Sequence, residues 1–170
     1  VYPPHDTGTI ARAFGSKPFY GREELPAFLP VIHEPEEVYE LDEPDLNENE
    51  WFQEHLERTK RIQKKIPSPY YVGLYDLQST LDVAVLIWHY EDLMRAMYTN
   101  PEEVHVFLSM VTNALIHSIR INLEVLDKPI PFGPDNVDLP LGQGIHISDD
   151  MMAVLSPKIY REFGVPYNNK

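Results

Sequence analysis

The chain has 170 residues, 16 prolines, no cysteine, and 27 acidic against 14 basic side chains, a formal charge of −13. This length suits one domain that needs no covalent staple, and 43% hydrophobic residues is too apolar for a disordered chain. Zero cysteines exclude disulfide scaffolds and thiolate-bound zinc or iron–sulfur sites within these residues. The negative charge argues against nucleic-acid and anionic-membrane partners, which need basic surface. No apolar run reaches the roughly 18 residues of a membrane span, and the Pro-rich start is no signal peptide. A cytoplasmic globular protein is expected. The first residue is Val1, which suits a processed chain or one cut from something longer.

In chain order, residues 1–46 read as irregular, with turns at Pro3-Pro4 and Lys17-Pro18 and short extended pieces. The Gly8–Arg12 phrase has no phosphate-loop spacing. Residues 34–50, EPEEVYELDEPDLNENE, hold nine of the acidic side chains and no basic one, leaving 18 against 14 elsewhere. Such a run reads first as a solvated loop leading into a helix, with a docking strip for a basic partner or a cation loop as rivals. No glycine breaks it, so it is no EF-hand loop.

A helix is predicted from Asn47 or Asn49 to about Ile66, capped by Asn, basic at its end, and stopped by Pro67. Tyr70–Leu74 (YYVGL) suits a buried strand. Helical stretches follow at about Thr80–His89 and Glu91–Tyr98. Asn100-Pro101-Glu102-Glu103 then opens a long helix, with Asn100 as cap and Glu103 completing a capping box. Its apolar stripe is Val104, Leu108, Val111, Leu115, Ile119, Leu123 and Leu126. His105 and His117 are expected at the surface or boundary. A Pro/Gly-rich connection over 127–142 leads to a strand from Gly144 to Asp150, and Ser156-Pro157 caps and opens a helix to about Phe163. Strand, helix, strand, helix points to α/β architecture with a mostly parallel sheet.

Active sites of parallel α/β folds gather at the carboxyl ends of strands. The first such end offers Asp76 and Gln78; the second offers Ser148, Asp149 and Asp150. Alternation puts Ile145 and Ile147 on one face and His146, Ser148 and Asp150 on the other. Adjacent carboxylates repel, so one pKa should rise, which suits acid/base work or binding of N–H donors. The structural alternative has one aspartate capping a turn and the other solvated. A metal site of His146 with Asp149 or Asp150 is a weaker reading. Ser156 reads as a cap and not a nucleophile. No P-loop, dinucleotide fingerprint, GxSxG or HExxH is present.

The segment Gln78–Val104, QSTLDVAVLIWHYEDLMRAMYTNPEEV, resembles the uroporphyrinogen decarboxylase superfamily, with its turn, helix and "dlydDPElvh" helix start. Ile147–Tyr167, ISDDMMAVLSPKIYREFGVPY, is similar to the "sdD…lSPelfrefvlPY" block. The resemblance covers about Tyr70–Tyr167, so residues 1–69 are set apart as a preceding region and 70–170 as central βα units. It implies a (β/α)8 TIM-type barrel, incomplete as given because such barrels need about 250 residues. The superfamily includes decarboxylases and corrinoid- or thiol-linked methyltransferases. The decarboxylases' catalytic aspartate, arginines and late histidine have no counterpart here; their tyrosine falls near Val85–Leu86, and a serine of the second block falls at Asp150. On the methyltransferase branch the resemblance implies zinc and a corrinoid partner, with the ligands, His-x-Cys and a later Cys, expected past residue 170.

These readings lead to an expected superfamily enzyme of one-carbon chemistry, with catalytic Asp149 and Asp150 and with Asp76, Gln78, His146 and Ser148 binding substrate. A tetrapyrrole decarboxylase and a non-catalytic assembly module are the alternatives. No cofactor is expected within the chain itself. A small-molecule, tetrapyrrole or corrinoid substrate is expected, and a homo-oligomer or completion by further chain.

Overall fold

Helix α5, Pro101–Val125, is the spine of the fold. The computed structural model describes residues 7–20, 27–127 and 145–170. The other helices are α1 (Thr9–Ala13), α2 (Glu50–Lys65), α3 (Thr80–Ile87), α4 (Tyr90–Thr99), α6 (Pro157–Phe163) and α7 (Val165–Asn168), and each of them packs on α5. Strands β1 (Lys17–Phe19) and β2 (Ala27–Leu29) form an antiparallel pair.

Proline at the first position and Glu102 and Glu103 in the first turn start α5 as the sequence predicts. Asn100 does not cap it with its side chain. Its backbone N–H closes α4 on the Ala96 carbonyl at 2.8 Å, which fixes its φ and ψ at −138° and 54°. Along α5 the buried face drifts. Val104, Leu108, Val111 and Leu115 are buried as predicted, but further on burial passes to Ser118 and Asn122, while Ile119 is half-buried and Leu123 exposed. The cause is α2, whose buried His55 meets Asn122 at 3.4 Å. By length and composition α5 resembles a membrane span, yet here its apolar residues build the core. Trp88 meets Phe107 edge-on at 5.5 Å in that core.

The predicted helices are otherwise placed well. Asn49 Oδ1 caps α2 on the Phe52 N–H, Ser156 caps α6 on Ile159, and α3 and α4 fall within two residues of expectation. The N-terminal region is more ordered than its prolines suggest. Helix α1 ends in a Schellman closure, Ser16 N–H to Ala11 C=O and Gly15 N–H to Arg12 C=O, with Gly15 at φ +99° where a side chain would be strained. Gly8 sits so close beneath the Phe28 ring that a Cβ there would overlap it. The acidic run is solvated: of its nine carboxylates only Glu37 is not exposed, and Val38 and Leu46 pin it to the core. Glu37 accepts the N–H groups of His33 and Glu34, which lower its pKa.

The two predicted strands are the main correction. Among the described residues Tyr70–Leu74 forms no regular strand, and the segment predicted from Gly144 (itself outside the described residues) to Asp150 is extended without a ladder. Among pairs of described residues, the parallel bridges are Ile32 with Trp88 and Gln78 with Ser148. A parallel strand is regular when neighbours on both sides take up its N–H and C=O groups. Here Ser148 meets the 77–79 segment through only two bonds, Ser79 N–H to Ser148 C=O (2.7 Å) and Ser148 N–H to Leu77 C=O (2.8 Å). A small second core of Val72, Leu74, Tyr75, Leu77 and Leu126 packs under this pair.

The Tyr75 hydroxyl and Ser118 Oγ share a buried hydrogen bond of 2.8 Å, and burial pushes the phenol from 10.0 up to about 12. The unfolded chain therefore loses this proton first, and between those values the folded state binds more protons. Stability should fall by roughly 3 kcal/mol as pH rises through that window. Urea unfolding at neutral and alkaline pH should show Tyr75→Phe costing about 1 kcal/mol at neutrality, with the gap to the parent closing or reversing as pH rises. A gap independent of pH would contradict the burial argument. Phe107→Ala, which empties the Trp88 contact, should cost about 3–5 kcal/mol in the same measurement.

Candidate functional site

The bridge between Gln78 and Ser148 sets which side chains share a face. Tyr75 and Leu77 point toward α5, as do Ile145 and Ile147, the latter two lining a cleft with α5 residues. By alternation Asp76 and Gln78, with His146 and Ser148, take the opposite face, although Gln78 also borders the cleft. Gln78 Nε2 donates to Asp76 Oδ2 at 3.0 Å, which joins two of the four. Asp76 and His146 each lie two residues before the bridged pair. Both carry a buried polar atom with no hydrogen-bond partner: Asp76 Oδ1 and His146 Nδ1. Folded proteins seldom leave such groups unpaired.

The two neighbouring aspartates part company. Asp149 Oδ1 accepts from Ser79 Oγ (3.2 Å) and the Met152 N–H (3.2 Å), and its Oδ2 accepts from the Tyr160 hydroxyl (2.6 Å) and Asn168 Nδ2 (2.7 Å). The Tyr160 phenol is held above its ordinary pKa, first by this bond to Asp149 and then by burial. Asp150 is exposed, and its backbone N–H donates to Asp82.

Asp82 is the residue that sequence reasoning missed. It lies in the first turn of α3, is buried, and takes the N–H groups of Asp150 (3.0 Å) and Met151 (2.9 Å). Burial raises its pKa; those two bonds and Ser79 oppose the rise, and the Asp149 charge adds to it. The available signal was Ser79-Thr80-Leu81-Asp82, a Ser-x-x-acid helix start. Ser79 Oγ does cap the Asp82 N–H at 3.2 Å, but the carboxylate reaches across the turn instead of back. Tyr160 and Asn168 had no sequence signal, since only the folded chain brings α6 and α7 to the strand end.

Among the described residues no group of three or more His, Asp or Glu side chains is placed to hold a metal ion, so His146 with Asp149 and Asp150 forms no such cluster. What the arrangement offers is a polar face with one unpaired carboxylate oxygen and one unpaired imidazole nitrogen, next to an exposed carboxylate and a saturated one.

With this geometry in view, the comparisons fit. The uroporphyrinogen decarboxylase (URO-D) family matches residues 1–125, and the chain belongs to that family. The match takes in the N-terminal 69 residues that the sequence reading set apart, and it stops short of the Ile147–Tyr167 block. Of 21 solved chains that match in structure, a methyltransferase from Methanosarcina mazei superposes with a TM-score of 0.71 at 18% identity. The superposition covers 96% of this chain and 44% of that one, so the chain spans less than half the length of that methyltransferase. At this identity the likeness establishes the fold, a TIM-barrel type whose regular barrel strands are not formed among the described residues. No curated protein matches the sequence significantly.

The raised pKa of Asp82 gives stability a pH dependence of known sign. The folded state keeps this proton to higher pH than the unfolded chain, so stability falls as pH rises from the ordinary aspartate value through the raised one, then levels. Asp82→Asn should flatten that fall. It should also cost about 1–3 kcal/mol, because an amide NH2 would face one of the two turn N–H groups. Urea midpoints measured from acid to neutral pH test both; an unchanged slope would remove Asp82 as its source.

Proposed function

We propose that this chain forms part of a barrel enzyme of one-carbon chemistry, transferring a methyl group between a corrinoid and a thiol. Family membership and the fold of a methyltransferase support the class. The observation that carries the site is the pair of unpaired atoms, Asp76 Oδ1 and His146 Nδ1, on one face of the paired extended segments. A substrate with a hydrogen-bond donor beside an acceptor would satisfy both, and Gln78 holds Asp76 ready for it. Ser148 lies on the same face one step along. Asp150 is the exposed carboxylate available for proton transfer at the rim. Asp149, with four partners, positions the turn that presents Asp150.

The described residues do not fit a zinc ion: the chain has no cysteine, and no cluster of three ligands is present. The chain's part in the reaction is to bind, orient and protonate or deprotonate the substrate, and the methylated corrinoid enters as a substrate.

The test mixes the intact gene product with a methylated corrinoid and a thiol and follows loss of the cobalt–methyl absorbance. Asp76→Asn and Asp150→Asn should each lower kcat/KM about tenfold or more, with the unfolding midpoint of Asp150→Asn little changed. Unaltered turnover in both variants would remove the site. Release of CO2 from a carboxylated tetrapyrrole, without methyl transfer, would make the enzyme a decarboxylase. Neither activity would leave the non-catalytic assembly module.

A further inference from the structure

The opposite face of the same segments carries a second feature, a cleft of about 430 Å³ between α5, residues 77–80, residues 145–147 and the end of α7. This is within the size range of small-molecule sites. Its walls are aliphatic: Ile116, Ile119 and Ile145 are half-buried and Ile147 is 38% exposed, more apolar surface than a finished core leaves open. Among the described residues two cations line it, Arg120 and Lys170, and no acidic residue does. In a chain of 27 acidic and 14 basic side chains that local balance runs against the average. Arg120 is exposed and forms no ion pair among the described residues. Lys170 Nζ is 5.3 Å from the Tyr167 ring centroid, on a wall of the cleft. The Thr80 and Thr112 hydroxyls on the floor are already bonded to each other at 3.0 Å, so the interior asks for no further polar partner.

We infer that this cleft binds an amphiphilic carboxylate, with its apolar body against the isoleucines and its head group on Arg120. A guanidinium takes a carboxylate through two parallel N–H bonds, with geometry a lone ammonium lacks. Gln78, the hydrogen-bond partner of Asp76, also borders this cleft, but the inference does not rest on the proposed activity.

The experiment is a methyl NMR titration of the protein labelled at isoleucine, using octanoate and 1-octanol as probes. Octanoate should move the methyls of Ile116, Ile119, Ile145 and Ile147 while Ile10 and Ile32, in the main core, stay still. It should bind about tenfold more tightly than 1-octanol, and Arg120→Gln should remove that preference while leaving 1-octanol binding as it was. Arg120 is exposed, so the variant keeps the fold. Cleft methyls that octanoate does not move would overturn the inference. Equal affinity for acid and alcohol, or an Arg120→Gln variant that keeps the preference, would do the same. Cleft methyls that shift with protein concentration alone would assign the groove to a second copy of the chain and overturn it as well.

Discussion

One carboxylate, Asp149, joins four pieces of chain. Its donors are Ser79 at the cap of α3, the Met152 N–H in its own turn, Tyr160 on α6 and Asn168 on α7. A carboxylate has about four acceptor directions, and here all are used. That is what permits a charged group to be partly buried with no cation beside it. The tie matters because the two extended segments share only two backbone hydrogen bonds. In a full ladder the register would be set by repetition; here two hydrogen bonds set it and Asp149 braces it.

Asp82 completes the join from the other side. Asp149 reaches from the strand-end turn to the cap of α3, and Asp82 reaches from α3 back to the N–H groups of that turn. The two negative charges oppose each other, and the raised pKa of Asp82 records that cost together with burial. Two things offset it. Every donor is fixed by the backbone or by a helix, so little entropy is lost in aiming it, and both carboxylates lie at the N-terminal end of α3, where the peptide dipoles favour negative charge. The turn that carries Asp150 is thereby held rigid while Asp150 itself remains free, an arrangement suited to presenting one carboxylate at a barrel rim.

What could be read from the sequence divides along physical lines. Local signals survived: Asn49 and Ser156 cap helices because their side chains need only the next turn, and Pro67 and Pro101 mark an end and a start through their own ring geometry. Ile145 and Ile147 share one face, as alternation predicts, and line the cleft. Signals that depend on partners did not survive. Asn100 lost its capping role because α4 claimed its backbone first, and the Tyr70–Leu74 segment forms no regular strand among the described residues. The Asp149-Asp150 pair was visible as a pair, but its division into one saturated and one exposed group was set by Tyr160 and Asn168, residues distant in the sequence with no motif to announce them. Asp82 lay hidden inside a helix-start pattern because its structural partners are nearly seventy residues away.

Net charge, the feature that first excluded whole classes of partner, turns out to say little about either face of the strand pair. The acidic run sits on solvent, where its field is shared with water and salt. One of its members, Glu43, is held by Asn113 at 3.3 Å. Seven residues further along α5 is Arg120, about 10 Å of helical rise away and comparable to the screening length at physiological ionic strength. At that separation the acidic run neither pairs with Arg120 nor cancels it. A chain of charge −13 can thus keep a locally cationic, apolar cleft on one side of two extended segments and a polar face with an unpaired carboxylate oxygen on the other. The partition follows from the pleat, which sends alternate side chains to opposite faces, and two hydrogen bonds and one carboxylate are enough to hold it in register.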